Sequence, residues 1–251
     1  MVHFVGAGPG AVDLITLRGK ALLESADVII YAGSLVNPEL LRFRKAGCQV
    51  YDSASMTLEE VLSVMKAAQD QNCEVVRLHT GDPCLYGAIG EQIAALEAEH
   101  IPYDVTPGVS SFSAAAAALR AEYTLPGVSQ TVLLTRAEGR TPVPQGEALE
   151  LLSAHGATMV LFLSAGLAEQ VQTKLLSGGY APETPAAIVY RASWPEERVL
   201  RCSVGTLAET AERSGIRQTA LISVGEFLNG PKEHSKLYDP AFSHGFREKK
   251  R

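Results

Sequence analysis

Short apolar, β-branched runs alternate with helix-like stretches along the first half of the chain. We predict strands over 2–6, 28–31, 74–79 and 103–106, and helices over 14–25, 57–71, 88–100 and 110–119. Strands that alternate with helices in this way are typical of an α/β fold with a parallel sheet covered by helices. Ligands of such sheets bind outside the carboxyl ends of the strands.

The alternation pauses around Leu125-Pro126-Gly127, where we predict a domain boundary. Further strands are predicted over 131–135, 158–163, 186–190, 198–203 and 220–224, with a helix that starts at Ala165 and ends at Gly178-Gly179. The simplest architecture is two α/β domains, 1–121 and 129–230, with an active-site cleft between them. A polar tail follows over 231–251, and we expect its basic end to be solvated rather than to bind a partner.

Charge and composition exclude several classes of protein. The 251 residues include 22 Lys and Arg against 28 Asp and Glu, and the net charge of −6 disfavours a nucleic-acid-binding function. The opening residues are interrupted at Gly6 and lack a basic leader, and no apolar run approaches the ~18 residues that span a membrane. The four cysteines are scattered without C-x-x-C spacing, which indicates reduced thiols. We therefore predict a cytoplasmic protein with no membrane association.

A glycine loop, Gly6-Ala7-Gly8-Pro9-Gly10-Ala11, directly follows the first predicted strand and matches the dinucleotide-binding pattern. Two features weaken that interpretation. Pro9 has no N–H to offer a pyrophosphate, and the second strand ends in Tyr31-Ala32-Gly33-Ser34 without a carboxylate for a ribose. The loop alone is compatible with a tight turn or a cofactor site, and an NAD-dependent oxidoreductase or nucleotide-binding module is an alternative function.

Two more glycine-bearing loops follow predicted strands, Thr80-Gly81-Asp82-Pro83-Cys84-Leu85-Tyr86-Gly87 and Thr106-Pro107-Gly108-Val109-Ser110-Ser111. Singly, Asp82 is compatible with an Asx turn, and Ser110 and Ser111 with a helix cap. Together the three loops are expected to line one crevice at the carboxyl edge of the sheet, which favours a ligand site.

These residues resemble the tetrapyrrole methylases, a family that uses S-adenosylmethionine. The segments that carry the resemblance are Val5-Gly6-Ala7-Gly8-Pro9-Gly10 with Asp13-Leu14-Ile15-Thr16, Gly81-Asp82-Pro83, and Pro107-Gly108-Val109-Ser110-Ser111. Further segments resemble the branch that methylates carbon 11 of precorrin-4 or cobalt-precorrin-4 in corrin synthesis: 31–36, 134–144, 190–195 and 235–239.

The resemblance implies two α/β domains, a homodimer, and a cofactor in the cleft between the domains. It implies cofactor contacts at Pro9, Thr80, Gly81, Asp82, Leu85, Ser110, Ser111, Leu163 and Ala192. Many members of the family carry methionine in place of Leu163 and glycine in place of Ala192. The alternative within this fold is a methyltransferase that acts on another tetrapyrrole carbon or on a substrate that is not a tetrapyrrole.

Methyl transfer to carbon requires donor and acceptor to be held in line with water excluded, and it needs no nucleophilic side chain. We therefore name no catalytic residue. A substrate rich in acetate and propionate groups calls for guanidinium groups, and we predict that Arg136, Arg140 and Arg191 bind it, the alternative being surface ion pairs. His79 has no partner at metal-ligand spacing, so no protein-bound metal is expected. Trp194 is compatible with stacking on the macrocycle or with packing.

Overall fold

The computed structural model describes residues 1–233, 235–239, 241–243 and 245–248. Its contacts divide the chain into two compact units, Met1–Ala115 with Arg191–Glu197, and Ala116–Tyr190 with Arg198–Arg251. Both units are α/β, as predicted. The segment Arg191–Glu197 lies with the first unit, although the sequence places it within the second predicted domain. The predicted ranges 1–121 and 129–230 remain predictions, and the last three residues of the basic tail lie outside the described residues.

The first unit is built on a five-stranded sheet with the strand order β3-β2-β4-β1-β5. Its strands are β1 (Val2–Gly6), β2 (Val28–Tyr31), β3 (Gln49–Asp52), β4 (Val75–His79) and β5 (Tyr103–Thr106). Its helices are α1 (Leu17–Ser25), α2 (Leu58–Asp70), α3 (Ile89–Ala98) and α4 (Ser111–Leu119), whose second half belongs to the other unit. Every strand pair is parallel, so all five strands end at one edge of the sheet.

Local sequence explains most of these boundaries. β1 and β4 are buried along their whole length, as expected of central strands covered on both faces. α1 starts at Leu17 rather than at residue 14, because the Thr16 hydroxyl accepts from the Gly19 N–H and caps the helix. The strand Gln49–Asp52 was not predicted, since it lies at the sheet edge, is mostly exposed and lacks an apolar run.

The second unit has a mixed five-stranded sheet with the order β6-β7-β10-β8-β9. Its strands are β6 (Val132–Arg136), β7 (Thr158–Phe162), β8 (Pro185–Tyr190), β9 (Arg198–Ser203) and β10 (Ala220–Val224). Its other helices are α5 (Leu149–Ser153), α6 (Ala168–Ser177) and α7 (Leu207–Ser214). β6 and β7 are parallel, whereas β10 is antiparallel to both β7 and β8. The strands β6, β7 and β8 therefore all end at the same edge.

Separate cores hold the two units. In the first unit, one cluster around Phe4 and Met65 covers one face of the sheet, and a second around Val5 and Leu23 covers the other. In the second unit, Leu161, Val171 and Ile222 belong to one large buried cluster. All four cysteines are free thiols. Over the part of the chain that the structure describes, no helix is both long and apolar enough to span a bilayer.

Candidate active site

The three glycine-bearing loops of the first unit meet, as predicted, where β1, β4 and β5 end. Gly8 and Gly81 exchange two backbone hydrogen bonds, with distances of 3.2 and 2.8 Å between nitrogen and oxygen. A methyl group on Gly108 would collide with the Gly81 carbonyl and the Gly6 backbone. Gly6 and Gly108 are thus required because the three backbones pack directly against one another, whereas Gly8 and Gly81 are favoured by their positive φ angles.

Asp82 connects two of these loops. One oxygen of its carboxylate accepts from the Cys84 N–H at 2.8 Å, which is the Asx turn considered above, and the other accepts from the Gly108 N–H at 3.0 Å. Gly81 lies against Ser110 and Ser111, with a positive φ of 60°. Asp82 therefore holds the loop after β4 against the loop after β5.

Three backbone donors of the glycine loop are already used within the protein. Ala7 donates to the His79 carbonyl at 2.7 Å, Gly8 to Gly81, and Ala11 to the Ser193 hydroxyl at 3.0 Å, while Pro9 has no N–H. A pyrophosphate needs several free N–H groups at this position. The loop therefore does not form a dinucleotide cradle, and the oxidoreductase alternative lacks its binding site.

The segment Arg191–Glu197, which we call the β8–β9 loop, packs on the glycine loop. The Trp194 indole N–H donates to the Pro9 carbonyl at 3.0 Å. A methyl group on Gly10 would lie within the indole ring. Trp194 is thus a packing residue of the first unit, which is the second of the two roles considered from the sequence.

Arg191 is engaged within the same loop. Its guanidinium lies 5.1 Å from the centre of the Trp194 ring and 3.4 Å from the Glu196 carboxylate. Substrate binding by Arg191 remains a prediction, and the ion pair is the alternative that the sequence left open.

Beneath the loop after β4 lie two buried basic side chains, Arg77 and His79. Arg77 donates to the Gln92 side chain at 3.2 Å and to the Ile30 carbonyl at 3.3 Å, and burial lowers its pKa to about 10. Burial, together with the charge of Arg77, lowers the pKa of His79 to about 3. His79 is therefore neutral at physiological pH. In the described ranges no three His, Cys, Asp or Glu side chains are grouped to hold a metal ion, and the expected lack of a metal stays a prediction.

At the edge of the second sheet, Leu163 directly follows β7 and is 64% exposed. The next residue, Ser164, is fully buried and fixes this turn. Its hydroxyl donates to the Phe162 carbonyl at 2.7 Å and accepts from the Ala137 N–H at 2.8 Å. Ser164 thus ties the loop after β7 to the loop after β6. Ser164 was not predicted from the sequence, because a single serine after a strand carries no distinctive signal.

The two predicted substrate arginines after β6 differ in their surroundings. Arg136 is half-buried and donates to the carbonyls of Thr141 and Pro142, at 3.1 and 2.6 Å. Arg140 is exposed and has no hydrogen bond or ion pair with any residue that the structure describes. Arg136 therefore shapes its own loop, and Arg140 is the more available cation.

Backbone strain concentrates near the predicted cofactor contacts. Three of the non-glycine residues with positive φ, Asn72, His100 and Arg120, follow helix ends, where this conformation is ordinary. Others lie at predicted site loops: Tyr86 and Ala88 after Leu85, Leu163 itself, and Arg191 and Ser193 on either side of Ala192. Such strain costs about 1–3 kcal/mol per residue and clusters at functional sites.

Comparison with known proteins identifies the family. The model of the family described as Tetrapyrrole (Corrin/Porphyrin) Methylases matches residues 1–208. The chain belongs to the tetrapyrrole methylase family. It is 52% identical to the cobalt-precorrin-4 C(11)-methyltransferase of Methanocaldococcus jannaschii, over 98% of this chain and 96% of that protein. It is 45% identical to a precorrin-4 C(11)-methyltransferase from a Sinorhizobium species, over 98% of each chain.

Solved structures of this family share the fold. A cobalt-precorrin-4 methyltransferase of cobalamin biosynthesis matches with a TM-score of 0.88 and 45% identity, covering 90% of this chain and 95% of that one. The uroporphyrin-III C-methyltransferase of Thermus thermophilus, solved with S-adenosylhomocysteine, matches with a TM-score of 0.76 and 28% identity, covering 91% and 98%. Like other tetrapyrrole methylases, the chain is an S-adenosylmethionine-dependent methyltransferase.

The loops of the first unit are chemically suited to this cofactor. The segments 6–11, 80–87 and 106–111 contain hydroxyls, backbone groups and the Asp82 carboxylate, but no Lys or Arg. A pyrophosphate would require cations or free N–H groups, whereas a sulfonium carries a positive charge and tolerates a nearby carboxylate. Of the predicted cofactor contacts, Pro9, Thr80, Gly81, Asp82, Leu85, Ser110, Ser111 and Ala192 all belong to the first unit, and Leu163 to the second.

Proposed function

We propose that this tetrapyrrole methylase transfers the methyl group of S-adenosylmethionine to carbon 11 of precorrin-4 or its cobalt complex, giving the corresponding precorrin-5. Near-full-length identity of 52% and 46% to the enzymes of Methanocaldococcus jannaschii and Priestia megaterium carries the assignment. Both of those enzymes are named for carbon 11 of the cobalt-containing substrate. Relatives named for the cobalt-free substrate are 45% and 48% identical, so both forms belong to the proposal.

The cofactor is held by the loops after β1, β4 and β5. S-adenosylmethionine, when bound, supplies an electrophilic methyl group on a sulfonium. Thr80, Ser110 and Ser111 contribute hydroxyls and backbone groups, and Leu85 an apolar contact. The Asp82 carboxylate favours a positive charge nearby while keeping the loops in register through Gly108. The main work of these residues is to fix the direction of attack and to exclude water.

The substrate side chains need cations, and the edge of the second sheet supplies them. Arg140 is exposed and available for a bidentate pair with an acetate or propionate group. Arg136 acts mainly by shaping the segment that carries Arg140, since its donors are directed at the carbonyls of Thr141 and Pro142. Arg191 is the third candidate for binding a substrate carboxylate. Its guanidinium already contacts Glu196 and Trp194, which limits how far it can extend toward the substrate.

Three further properties belong to the proposal: a homodimer, a cytoplasmic location, and the lack of a protein-bound metal. A cobalt ion enters only as part of the substrate. The free cysteines and the acidic composition support the location, and the neutral, buried state of His79 supports the view that it is not a ligand.

Mass spectrometry of the product tests the function. Purified protein and S-adenosylmethionine are combined with freshly generated precorrin-4, in parallel with and without inserted cobalt. One added methyl group, located at carbon 11 by isotope-labelled NMR, is the expected result. A methyl group at another carbon would correct the regiochemistry. No methylation in either arm, with intact substrate and demonstrated binding of S-adenosylhomocysteine, would refute the assignment of the substrate.

A further inference from the structure

The β8–β9 loop makes an unusual set of contacts with the glycine loop. The Trp194 indole donates to the Pro9 carbonyl at 3.0 Å, and the Ser193 hydroxyl accepts from the Ala11 N–H at 3.0 Å. The contacts therefore lie on both sides of Gly10. About 180 residues of sequence separate the two loops, yet both belong to the first unit.

Gly10 is shaped for this contact rather than for a phosphate. A methyl group there would overlap the nitrogen and carbons of the Trp194 ring. The Asn37 side chain also holds this residue, since it donates to the Gly10 carbonyl at 2.9 Å. The glycine loop is thus fixed by Trp194 and Asn37 together, and the third glycine of its motif exists to admit an indole.

The β8–β9 loop is also held together by contacts among its own residues. The backbone N–H of Ser193 donates to the Glu197 carboxylate at 2.7 Å, and the backbone N–H of Trp194 donates to the Arg191 carbonyl at 2.9 Å. Arg191 packs over the indole and pairs with Glu196. Arg191 and Ser193 both hold positive φ angles, of 46° and 71°, on either side of the buried Ala192. Strain of this kind persists only where surrounding contacts enforce it.

We infer that the β8–β9 loop is a positioning element for the cofactor, in which Trp194 and Ser193 set the Pro9 carbonyl and hold Ala192 in place between two strained residues. The inference rests on the proposed function, because Pro9 and Ala192 are predicted cofactor contacts. Trp194 acts through these two residues and is not itself a catalytic residue. Loosening it weakens cofactor binding more than it slows the bound enzyme.

Calorimetry with S-adenosylhomocysteine tests the inference on the intact protein. Trp194→Phe keeps an aromatic ring but removes the indole donor, and we expect the Kd to rise about fivefold because the Pro9 carbonyl is no longer pre-oriented for the cofactor. Gly10→Ala displaces the ring, and we expect a rise of at least tenfold. Tyr103→Phe is the matched control, because it removes an aromatic donor to Glu97 at the opposite end of the same sheet. Its Kd is expected to stay within twofold of the wild-type value.

A double variant distinguishes positioning from general damage. If Gly10→Ala acts mainly by displacing the indole, adding it to Trp194→Ala causes a smaller loss than Gly10→Ala causes alone; the loss that remains is the backbone strain of an alanine at a φ of 156°. In assays of methyl transfer, the KM for S-adenosylmethionine should rise while kcat changes by less than twofold. The single tryptophan of the chain gives an independent readout, since its emission should shift on ligand binding in the wild type and lie further to the red in the free Gly10→Ala variant.

The possible outcomes separate the two proposals. If the wild type binds no S-adenosylhomocysteine, the proposed function fails and the inference fails with it. If the wild type binds, but Trp194→Phe and Gly10→Ala bind within twofold of it, the positioning role alone is overturned. Should Gly10→Ala fail to fold, Trp194→Phe and Ser193→Ala decide the question by the same criterion.

Discussion

The loops at the edges of the two sheets are joined by different means. In the first unit, three backbones touch directly through Gly6, Gly81 and Gly108. In the second unit, the loops after β6 and β7 are joined through a side chain, the buried hydroxyl of Ser164. Backbone packing leaves no room for a methyl group on Gly6 or Gly108, whereas a hydroxyl link can be removed without a collision. Adding a methyl group to a glycine at the edge of the first sheet should therefore reduce stability more than removing the Ser164 hydroxyl at the edge of the second.

The largest loss of stability is expected from Gly108→Ala. The new methyl group meets the Gly81 carbonyl and the Gly6 backbone, neither of which can rotate away. We expect a loss of about 3 kcal/mol in the free energy of unfolding, measured by urea titration. Gly90→Ala is the matched control, because nothing lies within 4 Å of the added group and α3 favours alanine. Equal stability of the two variants would contradict the backbone-packing explanation.

Ser164→Ala should cost less, about 2 kcal/mol, because it leaves the Ala137 N–H and the Phe162 carbonyl without their partner in a buried place. Urea unfolding measures the loss. Ser177→Ala removes a comparable hydroxyl bond at the surface of α6 and should change stability by less than about 0.5 kcal/mol. If both serine variants were equally stable, Ser164 would not be the link between the two loops.

The pH dependence of stability probes the first edge further. Because the pKa of His79 is lowered to about 3 in the folded protein, folded His79 stays neutral while the unfolded chain takes up a proton below about pH 6.5. Stability therefore falls as the pH falls below 6.5, with a slope that approaches about 1.4 kcal/mol per unit for this group below about pH 5.5. Urea unfolding at a series of pH values should show a shallower slope for His79→Gln, and an unchanged slope would contradict the assigned burial effect.

The smallest effect is expected at the second edge. Arg140→Ala should raise the KM for the macrocycle about fivefold without changing the melting temperature, because the exposed guanidinium has no partner among the described residues. Arg136→Ala should raise the KM and also lower stability by about 1 kcal/mol, through the lost bonds to Thr141 and Pro142. Arg213→Ala on α7 serves as a surface control. An unchanged KM in both Arg136 and Arg140 variants would remove them from the substrate site.

Much of the fold could be predicted from the sequence, because buried parallel strands leave clear apolar runs. The strands at Val2–Gly6 and Val28–Tyr31 match their predicted ranges. The edge strand Gln49–Asp52 was missed because its pairing, rather than its hydrophobicity, makes it a strand. The helices Leu149–Ser153 and Leu207–Ser214 were also not predicted, since they are short and depend on tertiary packing.

The convergence of the three glycine loops followed from the predicted parallel sheet, and it is confirmed. The reason for the glycines did not follow from the sequence. Gly10 is required by Trp194, which lies about 180 residues later, and no local pattern can reveal such a partner. Ser164 and Asn37 were missed for the same reason, because each acts on a loop that is distant in sequence. The individual cofactor contacts remain predictions.

The late position of the β8–β9 loop also affects how the protein is made. Seventy-five residues, Ala116–Tyr190, are synthesised between the two parts of the first unit. At ~5–20 residues per second, translation leaves the glycine loop without its indole for roughly 4 to 15 s. We expect the nascent first unit to form its sheet during that interval, before its loop can be completed. A ribosome stalled before residue 191 should thus carry a first unit that binds the cofactor more weakly than the whole chain does.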